Sequence, residues 1–420
     1  MTGQRTALYG WLTSEAISLT GTRVSMIALP WFVLTTTGSA TQTGLVAFAE
    51  LAPLVLLKAL GGPVIDALGA RRVAITCDVA STVVVGLVPV LHAAGMLSFP
   101  ILLALVALAG GLRGPGDAAK HALTPTIVEQ AGVPMERVTG LSSAVERTAG
   151  MAGAAFAGGL VALVGPSNAL LVDAASFALS GAVLMATTRS LARTVTEEED
   201  GDLPYLARLR TGWEYLRREP VLMTLTLMVA VTNLIDIAYS AVLVPVWAKE
   251  TGGGAAVVGL VFAVKSGASI AGSLIAARWA ERMPRFRVYV AAFLIAGAPK
   301  FLALALGAPL GAVLAIFVVA GFASGFLNPI LGAVFYERIP EGLVGRVSSL
   351  STAVCFALMP LGGLCAGLLV SSVGISWALA AFGAAYLLAT MAPVVVRSFR
   401  AMDQRPATAA GVEGEPVRAA

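Results

Sequence analysis

Twelve long apolar segments constrain this chain more than any other feature of its sequence. A transmembrane helix needs roughly 20 mostly apolar residues, and each segment reaches about that length. In hydrocarbon the backbone must satisfy its own hydrogen bonds, and the segments lack the alternation of a β-barrel. We therefore predict an all-α membrane protein of twelve transmembrane helices. The predicted spans are 8–35, 43–65, 73–94, 97–118, 138–164, 168–188, 221–247, 256–280, 286–306, 310–334, 346–372 and 376–396.

Composition excludes most other classes of protein. Of the 420 residues 57% are hydrophobic and 12% are charged, against about 25% charged in soluble domains. No GxxxxGK[ST], GxSxG, HExxH or CxxC pattern occurs, and the string 114–119 mimics a dinucleotide fingerprint but follows no strand. We expect no enzyme, cofactor or metal, and the net charge of +4 requires no nucleic acid.

The spans fall into two groups of six with a polar stretch between them. We predict an N-terminal bundle at 1–188, a cytoplasmic linker at 189–220, a C-terminal bundle at 221–398 and a disordered tail at 399–420. After an acidic run, the linker places Leu206, Leu209, Trp213 and Leu216 at helical spacing. That pattern fits either an amphipathic helix at the membrane surface or a solvated spacer.

The distribution of Lys and Arg predicts the orientation. Nearly all of those outside the spans lie on one alternate set of loops and tails, and the opposite set carries only Lys249. Because short cytoplasmic loops retain positive charge, we expect a multi-pass protein of the cell membrane with both termini cytoplasmic.

An internal repeat at an offset of 215 residues relates the two halves. Parallel six-helix repeats are typical of transporters whose substrate site lies between two bundles and is reached by alternating access. The matched pairs are Pro30 and Pro245, Gly44 and Gly259, Leu45 and Leu260, Val46 and Val261, Asp66 and Glu281, and Arg72 and Arg287.

A motif between the second and third spans carries a family resemblance. Its residues form a GxxxDxxGxRR pattern, in which glycines permit close backbone approach and the carboxylate can pair with arginine or a helix terminus. The motif residues are Gly62, Asp66, Gly69, Arg71 and Arg72. This pattern resembles the signature loop of the major facilitator superfamily, and the likeness extends over nearly the whole chain.

The resemblance implies a gate that a charge relay stabilises, with Asp117 as a partner. Ala67 and Ala70 stand where the superfamily usually has basic residues, which implies a weaker relay. Three phrases resemble the macrolide-efflux and siderophore-export branch: ALPW at 28–31 with TGS at 37–39, DAASF at 173–177 and GRV at 345–347. The branch implies proton-driven export of amphipathic small molecules. We therefore expect a monomer whose partners are protons, a small-molecule substrate and membrane lipid.

Ionisable residues inside the spans are the candidate functional residues, because each costs roughly 2.5–3.5 kcal/mol at a helix centre. Arg23 lies mid-way along the first span. Asp236 lies mid-way along the seventh span, which is the repeat counterpart of the first. Glu50 and Lys265 share the repeat offset. Glu50 is either a titrating acid or half of a permanent pair with Arg23 or Lys58. Asp236 binds a proton or a cationic substrate, or else pairs with Lys265 or Lys300.

Four further residues complete the candidate site for proton coupling or substrate binding. Glu146 and Arg147 are adjacent, so they point about 100° apart and need separate partners. Asn233 precedes Asp236 by one turn, and Lys300 is a potential counter-ion. These residues favour a secondary transporter, and the resemblance implies that it exports amphipathic small molecules, such as drugs, macrolide-like antibiotics or siderophores, in exchange for protons. The alternatives are a facilitator or importer on the same fold and, more remotely, a non-transporting scaffold or receptor.

Overall fold

The structure, a computed structural model, describes residues 2–189, 205–279, 283–340, 343–395 and 397–403. Within these ranges twelve helices are long and apolar enough to span a membrane and no strand occurs, which confirms the predicted all-α fold. We label these helices α1 to α12. Their bounds are Arg5–Thr37, Ala40–Leu60, Ala70–Ala93, Phe99–Ala131, Arg137–Val164, Pro166–Thr187, Pro220–Glu250, Gly254–Ala276, Arg285–Ala305, Leu310–Phe335, Arg346–Val373 and Ile375–Val395.

Helix ends follow proline and glycine more closely than hydropathy. Helix α2 ends at Leu60, five residues before the predicted end, and a short helix with a proline in its first turn follows at Gly62–Leu68. Helix α4 runs well past its predicted end at 118, with a break at Leu123 between a first segment that ends at Ala122 and a second segment, Thr124–Ala131, that has Pro125 in its first turn. It continues because Lys120 is buried in the protein instead of reaching the aqueous loop.

Helix packing repeats from one half to the other. In the first half α1 packs on α5 and α6, α2 packs on α4, and α3 packs on α4 and α6. The same five pairings occur in the second half with each helix number raised by six: α7 packs on α11 and α12, α8 packs on α10, and α9 packs on α10 and α12. The repeat offset found in the sequence therefore corresponds to two similarly packed six-helix units.

The two halves meet through α2 against α11 and α5 against α8, which are equivalent pairs when the halves are exchanged. At both crossings a repeat glycine packs on a glycine of the other half: Gly44 on Gly363, and Gly259 on Gly158. A Cβ on Gly158 would lie 2.6 Å from the Cα of Gly259, so only glycine permits this approach. Glycines of α5 and α11 thus provide the close packing between the halves at these positions.

Both crossings lie near the ends of the helices that are remote from the linker. We call that end of the molecule the opposite side and the other end the linker side. The Thr41 hydroxyl lies 3.1 Å from that of Ser371 on the opposite side, and Lys249 donates to the carbonyl oxygen of Leu34 at 2.7 Å. The halves are thus held together at the opposite side.

Residues Tyr205–Arg218 of the linker form a helix that packs on the second half. Leu216 is fully buried in a cluster with Leu222, Ile339 and Val347, while Trp213 stays exposed. The predicted helix is present and docks on the protein; the acidic run of the linker lies outside the described residues.

The predicted disordered tail is wrong at its start. Residues Arg397–Asp403 form a 3₁₀ helix, and Phe399 and Met402 are fully buried. Phe399 packs on Tyr289, with ring centroids 5.1 Å apart, so apolar contacts extend the order beyond α12. Residues 404–420 lie outside the described part of the chain.

Candidate functional site: a central cavity and buried charges

A cavity of about 470 Å³ lies between the two halves. Its wall is formed by α1 and α5 of the first half and α8 and α10 of the second, and it extends from mid-helix toward the linker side. This places it below the glycine crossing of α5 and α8. The lining residues are Arg23, Glu146, Gly150, Phe262, Lys265, Ser266, Ser269, Ile270, Ser324 and Asn328.

Three of the predicted site residues share this cavity: Arg23, Glu146 and Lys265. The stem of Arg23 packs where Gly153 leaves room for it, since a Cβ there would lie 2.9 Å from that of Arg23. Lys265 places its ammonium 5.9 Å from the ring centroid of Tyr239. The cavity therefore joins charged groups from both repeats.

Asp236 and Lys300 form a second, adjacent feature within the second half. Lys300 is only 2% exposed, and its Nζ lies 3.4 Å from Oδ1 of Asp236, whose side chain is 45% exposed. The Lys300 ammonium also lies 5.0, 5.1 and 4.7 Å from the ring centroids of Tyr239, Phe301 and Tyr386. A buried cation thus has one carboxylate and three aromatic faces around it.

The backbone of α7 is distorted at this point. A π-helical turn covers Tyr239–Leu243 and ends two residues before Pro245, whose missing N–H interrupts the regular hydrogen-bond ladder of the helix. The turn places Tyr239 between Lys300 and Lys265, and its ring also contacts Phe262 of the cavity wall at 6.4 Å. Tyr239 therefore connects the buried pair to the central cavity.

Glu50 lies away from the central cavity and pairs inside the first half. Its Oε1 is 2.6 Å from Nη1 of Arg113, and both side chains are largely buried. The structure thus replaces the expected partners Arg23 and Lys58 with Arg113 of α4. Glu50, Arg113 and Asp173 face a cavity of about 30 Å³, and Ser25 donates a short hydrogen bond to Asp173.

Sequence reasoning missed a buried network on the linker side of the first half. Lys120 pairs with Asp78 at 2.9 Å, and Ser180 contacts both groups, at 2.7 Å from Oδ2 of Asp78 and 3.1 Å from Nζ of Lys120. Trp11 donates to the Lys120 carbonyl oxygen at 3.0 Å. This network was missed because Lys120 was counted among the charges of a loop. Asp78 could have indicated the network, since an acid in an apolar span needs a partner.

Asn233, another of the predicted site residues, reaches neither feature. The Asn233 amide donates to the carbonyl oxygen of Cys355 at 3.0 Å and so joins α7 to α11. Its geometry is that of a helix contact. The side chain of Arg147 lies outside the described residues.

The gating motif adopts a different arrangement from the expected one. Gly62 is exposed and a Cβ there would meet nothing within 4 Å, so it mediates no close approach, whereas the neighbouring Gly61 lies against Pro115. Gly69 has φ of +88°, which explains its glycine by backbone conformation. The expectation that Gly62 and Gly69 bring backbones together is therefore wrong.

Arg71 contacts the end of α6, where its Nε donates to the Thr188 hydroxyl at 3.0 Å and its Nη2 to the Met185 carbonyl at 3.1 Å. Within residues 2–189 no ion pair joins Asp66 or Asp117 to Arg71 or Arg72. Their role in gating stays a prediction.

The fold and the cavity define a class of protein, a polytopic membrane transporter with the major facilitator fold. Two six-helix halves with the same internal packing enclose a polar cavity between them, as in parallel-repeat transporters. Residues 5–417 match the family of transmembrane secretion effectors, and the chain belongs to that family. This confirms the resemblance to the major facilitator superfamily and the multi-pass membrane location.

Curated relatives carry efflux functions. The chain is 27% identical over 406 residues to the multidrug efflux pump Tap of Mycobacterium tuberculosis, with 94% of each chain covered. It is 26% identical over 407 residues to the Tap pump of Mycolicibacterium fortuitum, covering 94% of this chain and 96% of the relative.

Solved structures agree with the fold. The nucleoside transporter NupG, as a mutant, superposes with a TM-score of 0.71 at 16% identity, over 94% of this chain and 99% of its own. A bacterial homologue of the iron transporter ferroportin, in an inward-facing state, gives a TM-score of 0.68 at 18% identity, over 95% and 99%. At these identities the likeness concerns the fold alone.

Proposed function

We propose that this transporter exports small amphipathic drugs or natural products from the cell in exchange for protons. The relatives named as multidrug efflux pumps match 94% of the chain, which supports drug export as the activity. The proton partner is supported by the arrangement of Asp236 and Lys300, which is the observation on which the proposal depends.

Asp236 and Lys300 form a pair suited to proton exchange. A fully buried cation is costly unless it is neutralised, and within the described residues Asp236 is the one carboxylate that pairs with Lys300. Asp236 itself is half exposed and can receive a proton from water. Protonation of Asp236 removes the charge from one member of the pair while the other remains buried.

The aromatic side chains make the protonated state accessible. Each ring face within about 6 Å stabilises an ammonium by roughly 0.5–2 kcal/mol, and three rings lie within that distance of Lys300. They partly replace the carboxylate when Asp236 is neutral. The rings therefore lower the cost of leaving the Lys300 ammonium without a charged carboxylate, which suits the pair to a coupling site.

Access alternates between the two sides of the membrane. If the linker side is cytoplasmic, as the positive-inside bias predicts, the closed opposite side faces outward and the cavity receives substrate from inside the cell. Rocking of one half against the other would separate the glycine crossings and close the linker side. Asp66, Arg71 and Arg72 would stabilise that second state.

Transport in reconstituted liposomes tests the proposal. An antibiotic is first selected by the resistance that the chain confers on a pump-deficient host, and its uptake is then followed under an imposed pH gradient. We expect uptake against a concentration gradient, which nigericin abolishes by collapsing the pH gradient. Transport at the same rate after collapse would contradict proton exchange and favour a facilitator.

A further inference from the structure

The charged side chains that line the central cavity carry an excess of positive charge. Arg23 of α1 and Lys265 of α8 are two cations, and Glu146 of α5 is the one carboxylate in the lining. The walls are protein and lipid of low dielectric, so an excess positive charge raises the local affinity for an anionic group.

Arg23 has donors to spare. Its Nε is buried without a hydrogen-bond partner in the described part of the chain, and its Nη1 contacts only the weakly accepting sulfur of Met26, at 3.5 Å. A guanidinium presents five N–H groups in a fork that matches a carboxylate bidentately. The Nη groups of Arg23, which within the described residues donate only to that sulfur, can therefore bind a planar anion.

Lys265 lacks a counter-ion for a reason that the repeat explains. Its equivalent in the first half is Glu50, and each packs its backbone against a glycine of the next-but-one helix, Gly110 and Gly321 respectively. Arg113, the partner of Glu50, lies three residues after Gly110. The residue three positions after Gly321 is Ser324, which carries no charge. Lys265 consequently forms no ion pair within the described residues and faces the cavity.

Neutral lining residues are mostly polar. Ser266, Ser269, Ser324 and Asn328 supply hydroxyl and amide groups, against Phe262 and Ile270 as the large apolar members. Such a wall satisfies hydrogen-bonding groups of a ligand and gives little to a purely lipophilic one. A volume of about 470 Å³ suits a drug-sized molecule.

We propose that the central cavity binds zwitterionic small molecules, whose carboxylate lies between Arg23 and Lys265 while the cationic part lies toward Glu146. The inference rests on the proposed export function and specifies its substrate class. It differs from the expectation of a cationic substrate at Asp236, because two basic residues and one carboxylate line the cavity.

Two fluorescent dyes that differ by one methyl group test the substrate class. Rhodamine 110 has a free carboxylate beside its cationic ring system, and rhodamine 123 is its methyl ester. Binding to the purified full chain is followed by fluorescence anisotropy. We expect the free acid to bind at least tenfold more tightly, and Lys265→Gln to remove that preference by weakening the binding of the free acid without weakening that of the ester.

Controls separate recognition from folding. Lys265→Arg retains the charge and should retain the preference, and Lys58→Gln removes a lysine outside the cavity lining and should change neither affinity. Equal affinities, tighter binding of the ester or no binding of the free acid would overturn the substrate class. If the substrate class fails but the ester is transported under a pH gradient, the proposed export function is retained. If the free acid binds preferentially but transport of no substrate responds to the pH gradient, the proposed proton exchange is wrong and the substrate class is retained.

Discussion

Glu50 and Lys265 occupy equivalent positions in the two halves, but their surroundings differ. Glu50 is paired with Arg113 inside the first half at 2.6 Å. Lys265 faces the central cavity, where Ser324 replaces the residue that would correspond to its partner. The same fold position thus holds a closed ion pair in one repeat and an open charge in the other.

The contrast extends to the other buried charges. In the first half Asp78 pairs with Lys120 and Ser180, and Glu15 accepts from Ser142 at 2.9 Å. In the second half Lys300 has the half-exposed Asp236 and three aromatic rings. We infer that the buried charges of the first half outside the central cavity hold a rigid unit, whereas Asp236 and Lys300 of the second half serve transport.

Breaking the closed pair should produce the largest effect. Glu50→Gln leaves the Arg113 cation buried without a partner and is expected to cost about 3–5 kcal/mol of stability. Thermal unfolding in lipid nanodiscs measures the loss. The double variant Glu50→Gln with Arg113→Gln should recover most of it, and a single variant as stable as the unmodified chain would contradict a structural role for the pair.

The second network should respond next. Ser180→Ala removes the hydroxyl that contacts both Asp78 and Lys120 and should cost about 1–3 kcal/mol, because two buried groups each lose a partner. Unfolding measurements detect it, while export per folded molecule should remain close to that of the unmodified chain. Loss of export without loss of stability would move this network into the transport machinery.

The open pair should show the reverse pattern. Asp236→Asn is expected to reduce gradient-driven export by about tenfold or more, equivalent to 1.4 kcal/mol, with little change in unfolding temperature. Asp236→Glu retains a titratable group and should restore part of the activity. Full activity of Asp236→Asn together with Glu50→Gln would contradict our site and support a role in which the acids are dispensable.

The smallest effect is expected at the contact between the halves on the opposite side. Lys249→Ala removes one hydrogen bond to the Leu34 carbonyl, which at about 1 kcal/mol shifts the balance of the two access states roughly fivefold. Distances between spin labels on α2 and α11 report that balance. An unchanged distribution would show that the glycine crossings alone hold this side closed.

The sequence predicted the helices well because the cost of polar groups in lipid acts locally along the chain. All twelve spans and the repeat could be found from apolar runs and a constant offset. Lys120 shows where prediction from hydropathy fails. A charged residue that pairs inside the protein is taken for the end of a span.

Partners were harder to predict than positions. Glu50 was identified as a costly charge, but its partner Arg113 comes from another helix, and only packing brings the two together. Arg23 and Lys265 were recognised as candidates, and the shared cavity with Glu146 depends on how the halves meet. Asn233 lies one helical turn before Asp236, as the prediction required. Its amide, however, donates a hydrogen bond to α11 and does not reach the site.

Proton movement driven by a drug gradient tests most directly whether the two halves divide these roles. Purified protein is reconstituted in weakly buffered liposomes that contain a pH indicator, and a gradient of a transported drug is imposed without a pH gradient. We predict that drug movement drives proton movement in the opposite direction in the unmodified chain and in the double variant Glu50→Gln with Arg113→Gln, and that Asp236→Asn shows none. Proton movement that persists in Asp236→Asn and disappears in the double variant would place the coupling site in the first half and contradict this account.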